Sequence, residues 1–380
     1  MSAAFILGIE LDGDGAHPSA WRAAGHAPAE LLSGRIHAQR AQAAERAGFV
    51  FATFADSAQP PSAPHGIRAR LDAVQRAAFA APLTASIGLV PEVGTVYSEP
   101  FHVATQLASL DFAARGRAGW VATAADDAAT ASLYGREGRP GTAADAVEVA
   151  RRLWDSWEED AVIRDVPTGR YLDRERIHHI HFVGDDYSIV GPPIVPRPPQ
   201  GSLPVFGPAS LARFAPNRGS DAAKTANWRK SSQGVELDVA FFDVEGGTPT
   251  ELVARAAQET ARLREAGALA VLDLDVVLDA AGVRAADRLA ALDAHTPLAA
   301  SRARFVGAAD RLADLLAALA GVTDGVRIHP AVLDTELPEL AYGVLPLLRE
   351  RAALATTRPG GTLRDALGLP AAVNRYQESA

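Results

Sequence analysis

Eight short runs of β-forming residues alternate with helical stretches, and no other feature of the chain limits its fold as strongly. The runs are 5–11, 49–54, 83–90, 118–122, 203–206, 235–242, 268–274 and 325–328. Strands separated by helices pair in parallel, because each crossover returns the chain to the same end of the sheet. Eight such units predict the α/β class, and within it a (β/α)8 TIM barrel with insertions rather than an open sheet. In a barrel of this kind the site lies at the C-terminal ends of the strands.

The sharpest unit is Leu83–Trp120. Leu83 to Val90 alternates small and large residues as a strand does, and Pro91 to Pro100 reads as a loop. Phe101, Ala104, Leu107, Ala108 and Phe112 fall roughly on one face of a helix that Gly116 closes. Elsewhere, Ile36 to Ala47 reads as a helix capped by Gly48, and Leu71 to Ala80 as a second. Phe49 to Phe54 is the apolar run of a strand buried on both faces. Asp56 follows it, where parallel α/β folds place ligands, although a helix cap or a loop ion pair suits it equally. Thr248, Pro249 and Glu251 mark the start of a strong helix, and Pro338 to Ala353 reads as one last long helix.

The Pro- and Gly-rich stretch around 165–203 reads as a hairpin insertion, with 178–183 and 187–190 as its arms. Strand alternation would put His179 and His181 on one face and His178 on the other. No carboxylate-bearing helix motif accompanies them, which favours a structural or substrate-lining role over a metal. Arg213 to Gln233 is polar and shows no clear periodicity.

Composition removes several classes of function. A net charge of −9 argues against nucleic-acid binding, which needs clustered Lys and Arg. With no cysteine there is no disulfide, thiolate metal site or cysteine nucleophile. Neither a leader pattern nor an apolar run long enough to span a membrane is evident, so a cytoplasmic location is expected.

Residues 97–120, YSEPFHVATQLASLDFAARGRAGW, resemble a signature of the bacterial luciferase-like flavin monooxygenases. They are similar above all to the branch of nitrilotriacetate monooxygenase, dibenzothiophene sulfone monooxygenase and the pristinamycin synthase subunit. Gly15, His17, Trp21 and Arg22 resemble that branch's first loop, and AERAGFVFATFADS its second strand; LWDSW and TDGVRIHP also match. The resemblance implies one TIM-barrel domain over 1–380 and a two-component monooxygenase. Reduced FMN, supplied by a separate NAD(P)H:flavin reductase, would react with O2 to oxidise a small organic substrate. A homodimer or homotetramer is implied as well. By the same resemblance Asp56 and Thr95 would contact the flavin and Ser210 its phosphate, while His17, Tyr97 and His102 are catalytic candidates near the mouth. His102 also suits a first helical turn facing solvent, and Tyr97 suits packing.

Several flavin-facing positions depart from the family pattern. The usual Thr-Ala-Ser-Thr reads Glu92-Val93-Gly94-Thr95, and the polar residue expected after Gly119-Trp120 is Val121. Pro208 removes a main-chain donor from the phosphate loop, for which Arg136, Arg213 or Arg218 would compensate. A second reading is therefore a barrel without flavin, acting as a binding protein or as the partner subunit of an active paralogue. A deazaflavin in place of FMN is a third.

Overall fold

The computed structural model describes residues 4–59, 66–125, 127–136, 142–184, 186–212, 234–299 and 301–377. Its strands are β1 (Ile6–Glu10), β2 (Phe51–Phe54), β3 (Gly88–Gly94), β4 (Trp120–Thr123), β5 (Val162–Asp165), β6 (Arg170–Leu172), β7 (Phe182–Val183), β8 (Ser188–Ile189), β9 (Val205–Pro208), β10 (Val239–Phe242), β11 (Leu269–Leu278), β12 (Ala303–Gly307) and β13 (Gly325–Pro330). The helices are α1 (Gly34–Ala47), α2 (Ala73–Ala80), α3 (Pro100–Ala113), α4 (Ala128–Tyr134), α5 (Thr142–Asp155), α6 (Pro249–Glu265), α7 (Ala285–Asp293), α8 (Ala309–Ala320), α9 (Leu333–Glu339), α10 (Leu345–Arg351) and α11 (Leu363–Ala366).

The expected barrel is present. The order β10-β9-β4-β3-β2-β1-β13-β11 closes because β11 also pairs with β10, every neighbour being parallel. β12 is an addition that the strand pattern did not show. It pairs with β11 at residues 274–278, beyond the stretch 269–272 that pairs with β10. β5–β6 and β7–β8 are separate antiparallel hairpins, the second within the expected insertion.

The inward-facing residues explain why the barrel closes over a solid core. Phe51, Phe206 and Phe241 meet inside it, with ring centroids 5.2 to 6.1 Å apart. Ile6, Val90, Val121, Val239 and Val271 surround them, and Leu363 and Leu367 plug the N-terminal end. Gly8 is required here, since a Cβ on it would lie 2.2 Å from the Phe51 ring. Helix signals read from sequence recur in the structure. Thr248 and Glu251 form a capping box on α6, and Gly48 closes α1 at φ 95°.

Two boundaries differ from expectation in a way that matters. The third strand begins at Gly88 rather than Leu83, because Glu45 of α1 accepts the N–H groups of Ala85, Ser86 and Ile87. It then runs through Pro91 to Gly94, so residues 91–94 are strand and not loop. The final helix is also divided, by a π-helical turn at Leu340–Val344 just before Pro346, which has no N–H to give the preceding turn. Among the described residues no helix is long and apolar enough to cross a membrane.

Candidate active site

Above the phenylalanine layer the barrel interior turns from apolar to charged. Glu10, Thr53, Glu92, Thr123, Asp273, Arg327 and His329 alternate with outward-facing residues along their strands, and Thr53, Glu92, Thr123 and Asp273 follow the core residues Phe51, Val90, Val121 and Val271 two positions earlier. Arg327 lies over the Phe241 ring at 3.6 Å and donates from Nε and Nη2 to the two oxygens of Asp273, each at 2.7 Å. Burial alone would push Asp273 up, but Arg327 and His329 hold it below the ordinary carboxylate range. Glu10 accepts from the Ala55 N–H at 3.1 Å and from the Thr53 hydroxyl at 2.8 Å, with Arg327 3.7 Å away.

Glu92 sits differently. Its donors are the Thr123 hydroxyl and the Asp56 main-chain N–H, and burial followed by the charge of Glu10 raises its carboxyl to about 7. Asp243, just past β10, is also raised, by burial and by Asp273.

Two cavities adjoin above β3 and β4. One, of about 320 Å³, is lined by Asp56, Glu92, Gly94, Tyr97, Thr123 and Tyr134 among others. The second, of about 380 Å³, shares Val96, Tyr97 and Ser98 with it and continues to Arg136 and Tyr187. The Tyr97 ring stacks on Tyr134 at 4.3 Å, and the Arg136 guanidinium lies over the Tyr97 ring, 5.1 Å from its centroid. The hydroxyls of Tyr97 and Tyr187 are buried and have no hydrogen-bond partner among the described residues. A buried phenol without a partner is costly unless a ligand or solvent completes it.

The residues singled out from sequence are thereby divided. Asp56, Thr95 and Tyr97 come together around the two cavities. Asp56 accepts from the main-chain N–H groups of Ser57 and of Ala73, at 2.8 Å each, tying its loop to α2. Thr95 is buried and its hydroxyl donates to the Thr123 carbonyl at 2.8 Å. His17 lies elsewhere, in a cavity of about 280 Å³ with Asp12, Trp21, His37 and Arg76. Its Nδ1 accepts from the Ser19 N–H and its Nε2 meets Asp293 at 3.1 Å; burial keeps it below its ordinary pKa. His102 is exposed in the first turn of α3, where Glu99 accepts its main-chain N–H, and Ser210 is exposed on a short 3-10 turn after β9. Arg213 and Arg218 lie outside the described residues, as does the whole of 213–233.

Of the expected first arm, 178–183, only Phe182–Val183 is strand, so the alternation expected of the three histidines does not apply. His178 pairs with Glu158 at 2.7 Å and stacks on Tyr376, and His179 bonds the Gly191 carbonyl. Among the described residues no group of three or more His, Asp or Glu side chains could hold a metal ion.

Glu10, Asp273, Arg327 and His329 were not candidates from sequence. Their signal was present: charged residues at every second position of strands otherwise buried on both faces, as in DLD of β11 and RIH of β13.

Known proteins agree with this architecture. The model of the family described as luciferase-like monooxygenase matches residues 16–216. N-acetyl-S-(2-succino)cysteine monooxygenase of Bacillus subtilis is 29% identical, over 97% of this chain and 98% of its own. Nitrilotriacetate monooxygenase component A of Aminobacter aminovorans is 34% identical, over 63% of this chain and 57% of its own. Among solved structures, riboflavin lyase with modified FMN and substrate riboflavin superposes with a TM-score of 0.76 at 21% identity, over 97% of this chain and 96% of that one. With the family model covering more than half of its length, the chain belongs to the luciferase-like monooxygenase family, in the branch that includes the nitrilotriacetate enzyme.

Proposed function

We propose that this protein is a monooxygenase that uses reduced FMN from a separate NAD(P)H:flavin reductase to oxidise a small organic substrate with O2. The observation that carries the reading is the pair of adjoining cavities at the strand ends, lined in part by Tyr97 and Tyr187, whose buried hydroxyls have no hydrogen-bond partner among the described residues. Each cavity falls within the range of small-molecule sites, roughly 300–1,000 Å³. Open space at Gly94, where a Cβ would meet nothing nearer than Thr123 Oγ1 at 3.9 Å, gives a flat ligand room beside the main chain.

These residues fit a flavin. Gly94, Tyr97 and Thr123 would border its ring system. Tyr187 and the rim residue Arg136 would serve its polar tail, Arg136 offering the positive charge that a phosphate needs. When bound, reduced FMN supplies the electrons that activate O2. The chain's own residues do the remaining work. Tyr97 and Tyr134 wall the cavity, Thr95 and Trp120 hold the end of β3 by bonding the Thr123 and Val93 carbonyls, and the phenylalanine layer keeps water from entering below. We include a homodimer or homotetramer in the same proposal.

One observation favours the second reading, a barrel that has lost its flavin. Asp56, Asp72 and Glu92 line one cavity together, and ionised carboxylates repel both a phosphate and an anionic reduced ring. Titration with oxidised and reduced FMN, followed by absorbance and fluorescence, separates the two. The flavin reading expects binding that Gly94→Leu weakens at least tenfold while thermal stability stays close to wild type. No binding by the wild-type protein at about 1 mM FMN, weaker than roughly −4 kcal/mol, would sink it.

A further inference from the structure

We propose that Glu92 is a catalytic proton carrier of this site, giving and regaining a proton at the floor of the cavity above β3. The inference rests on that cavity being the flavin and substrate site.

Placement is the first argument. Gly88, Val90 and Glu92 alternate along the inward face of β3, so the strand that fills the core with Val90 delivers a carboxyl to the cavity one step higher. Only because β3 continues through Pro91 does Glu92 belong to the rigid barrel wall rather than to a loop.

The second argument is the division of partners. From β1, Glu10 faces Glu92; from the segment after β2 and the start of α2, Asp56 and Asp72 share its cavity; from β10, β11 and β13 come Asp243, Asp273, Arg327 and His329. Arg327 is the cation of this group, and both of its short bonds go to Asp273. Glu10 is held by the Thr53 hydroxyl and the Ala55 main-chain N–H, with Arg327 3.7 Å away. Glu92 has its two neutral donors and, among the described residues, no salt bridge; the charge of Arg327 reaches it and opposes the upward push without outweighing burial. Burial and the charge of Glu10 bring it to about 7, where both protonation states are populated and proton transfer in either direction is most effective.

The step is simple. Protonated Glu92 releases its proton to an oxygen anion or other basic atom held in the cavity. The carboxyl O–H bond breaks and its electron pair remains on the carboxylate, which the Thr123 hydroxyl and the Asp56 N–H then hold. A proton from solvent restores the acid.

The test compares wild-type protein with Glu92→Gln across pH 5–9. Infrared difference titration of the flavin-free protein reads the carboxyl itself. Stopped-flow reoxidation by O2 of reduced FMN bound to the protein reads its effect. The proposal expects a carboxylic acid band that titrates near pH 7 in wild type and is missing in Glu92→Gln. It expects a reoxidation profile with the same midpoint, flattened in the variant. Thr123→Val, which removes a donor to the carboxylate, should move the midpoint up, and it serves should Glu92→Gln fail to fold. Identical infrared titrations or identical pH profiles, with FMN bound in both proteins, overturn the role of Glu92 alone; absence of FMN binding by the wild type overturns the flavin reading and this inference with it.

Discussion

Within the barrel strands, Asp273 on one side of the mouth and Glu92 on the other are treated in opposite ways, although past β1 Asp12 is paired with Arg70 and Arg76. On the β11–β13 side carboxylates are matched by arginines: Asp273 by Arg327, Asp275 by Arg302 at 2.8 Å, and the buried Glu336 by Arg288. On the β1–β3 side Glu10 and Glu92 lie inside the wall with hydroxyls and main-chain N–H groups as their nearest donors. Glu92 opens directly onto a cavity of about 320 Å³. Matched charges fix the shape of a wall. An unmatched, poised carboxyl beside a cavity is available for chemistry. The contrast separates acidic residues that hold the mouth together from a carboxyl placed to act in it.

Breaking the matched side should give the largest effect. Arg327→Met leaves Asp273 buried without its cation, and we expect a loss of about 3–5 kcal/mol in urea unfolding at neutral pH. A smaller cost would mean that Asp273, which burial pushes up once Arg327 is gone, takes up a proton in the variant.

Removing the unmatched charge should act with the opposite sign. The carboxyl of Glu92 lies at about 7 in the folded protein against an ordinary 4.5, so folding disfavours its ionised form. That cost is absent below about pH 4.5, grows as pH rises, and is complete above about 7. Glu92→Gln should therefore gain on wild type as pH is raised from 5 to 8, by about 2 kcal/mol after allowance for solvent screening. Unfolding curves at both pH values measure it, and a gap that does not change with pH would remove the contrast between the two sides.

The smallest effect on the fold belongs to Tyr97→Phe. Its hydroxyl has no partner among the described residues, so stability should shift by no more than about 0.5 kcal/mol, while FMN affinity falls several-fold as a ligand bond is lost. A loss of stability with unchanged affinity would assign Tyr97 to packing.

Much of the barrel was legible because its signals are local. The apolar run at 49–54, the capping box at Thr248, and the alternation of strands and helices each depend on residues close in sequence. Asp56, Thr95 and Tyr97 were legible as a group through their motifs, and the fold brings them to adjoining cavities. His17 and Ser210 sit in equally suggestive stretches, yet the first is bonded to Asp293, 276 positions away, and the second is exposed. Motif position cannot reveal either outcome. Glu92 was visible as a departure from the family pattern, but its place was not, because a proline in front of it reads as a loop signal while parallel pairing with β2 and β4 keeps the strand intact.

The sequence by itself determined the parallel α/β barrel, the order of its units and the family, since periodicity, caps and long motifs are written in contiguous residues. Only the tertiary structure decided which charges meet. Glu10, Glu92, Asp273 and Arg327 come from four separate strands, and barrel closure brings them to one level above the phenylalanine layer. Whether a carboxyl there is paired, and so fixed in charge, or unpaired, and so free to carry a proton, depends on distances of a few ångströms between residues up to 317 positions apart, as in Arg327 and Glu10 at 3.7 Å.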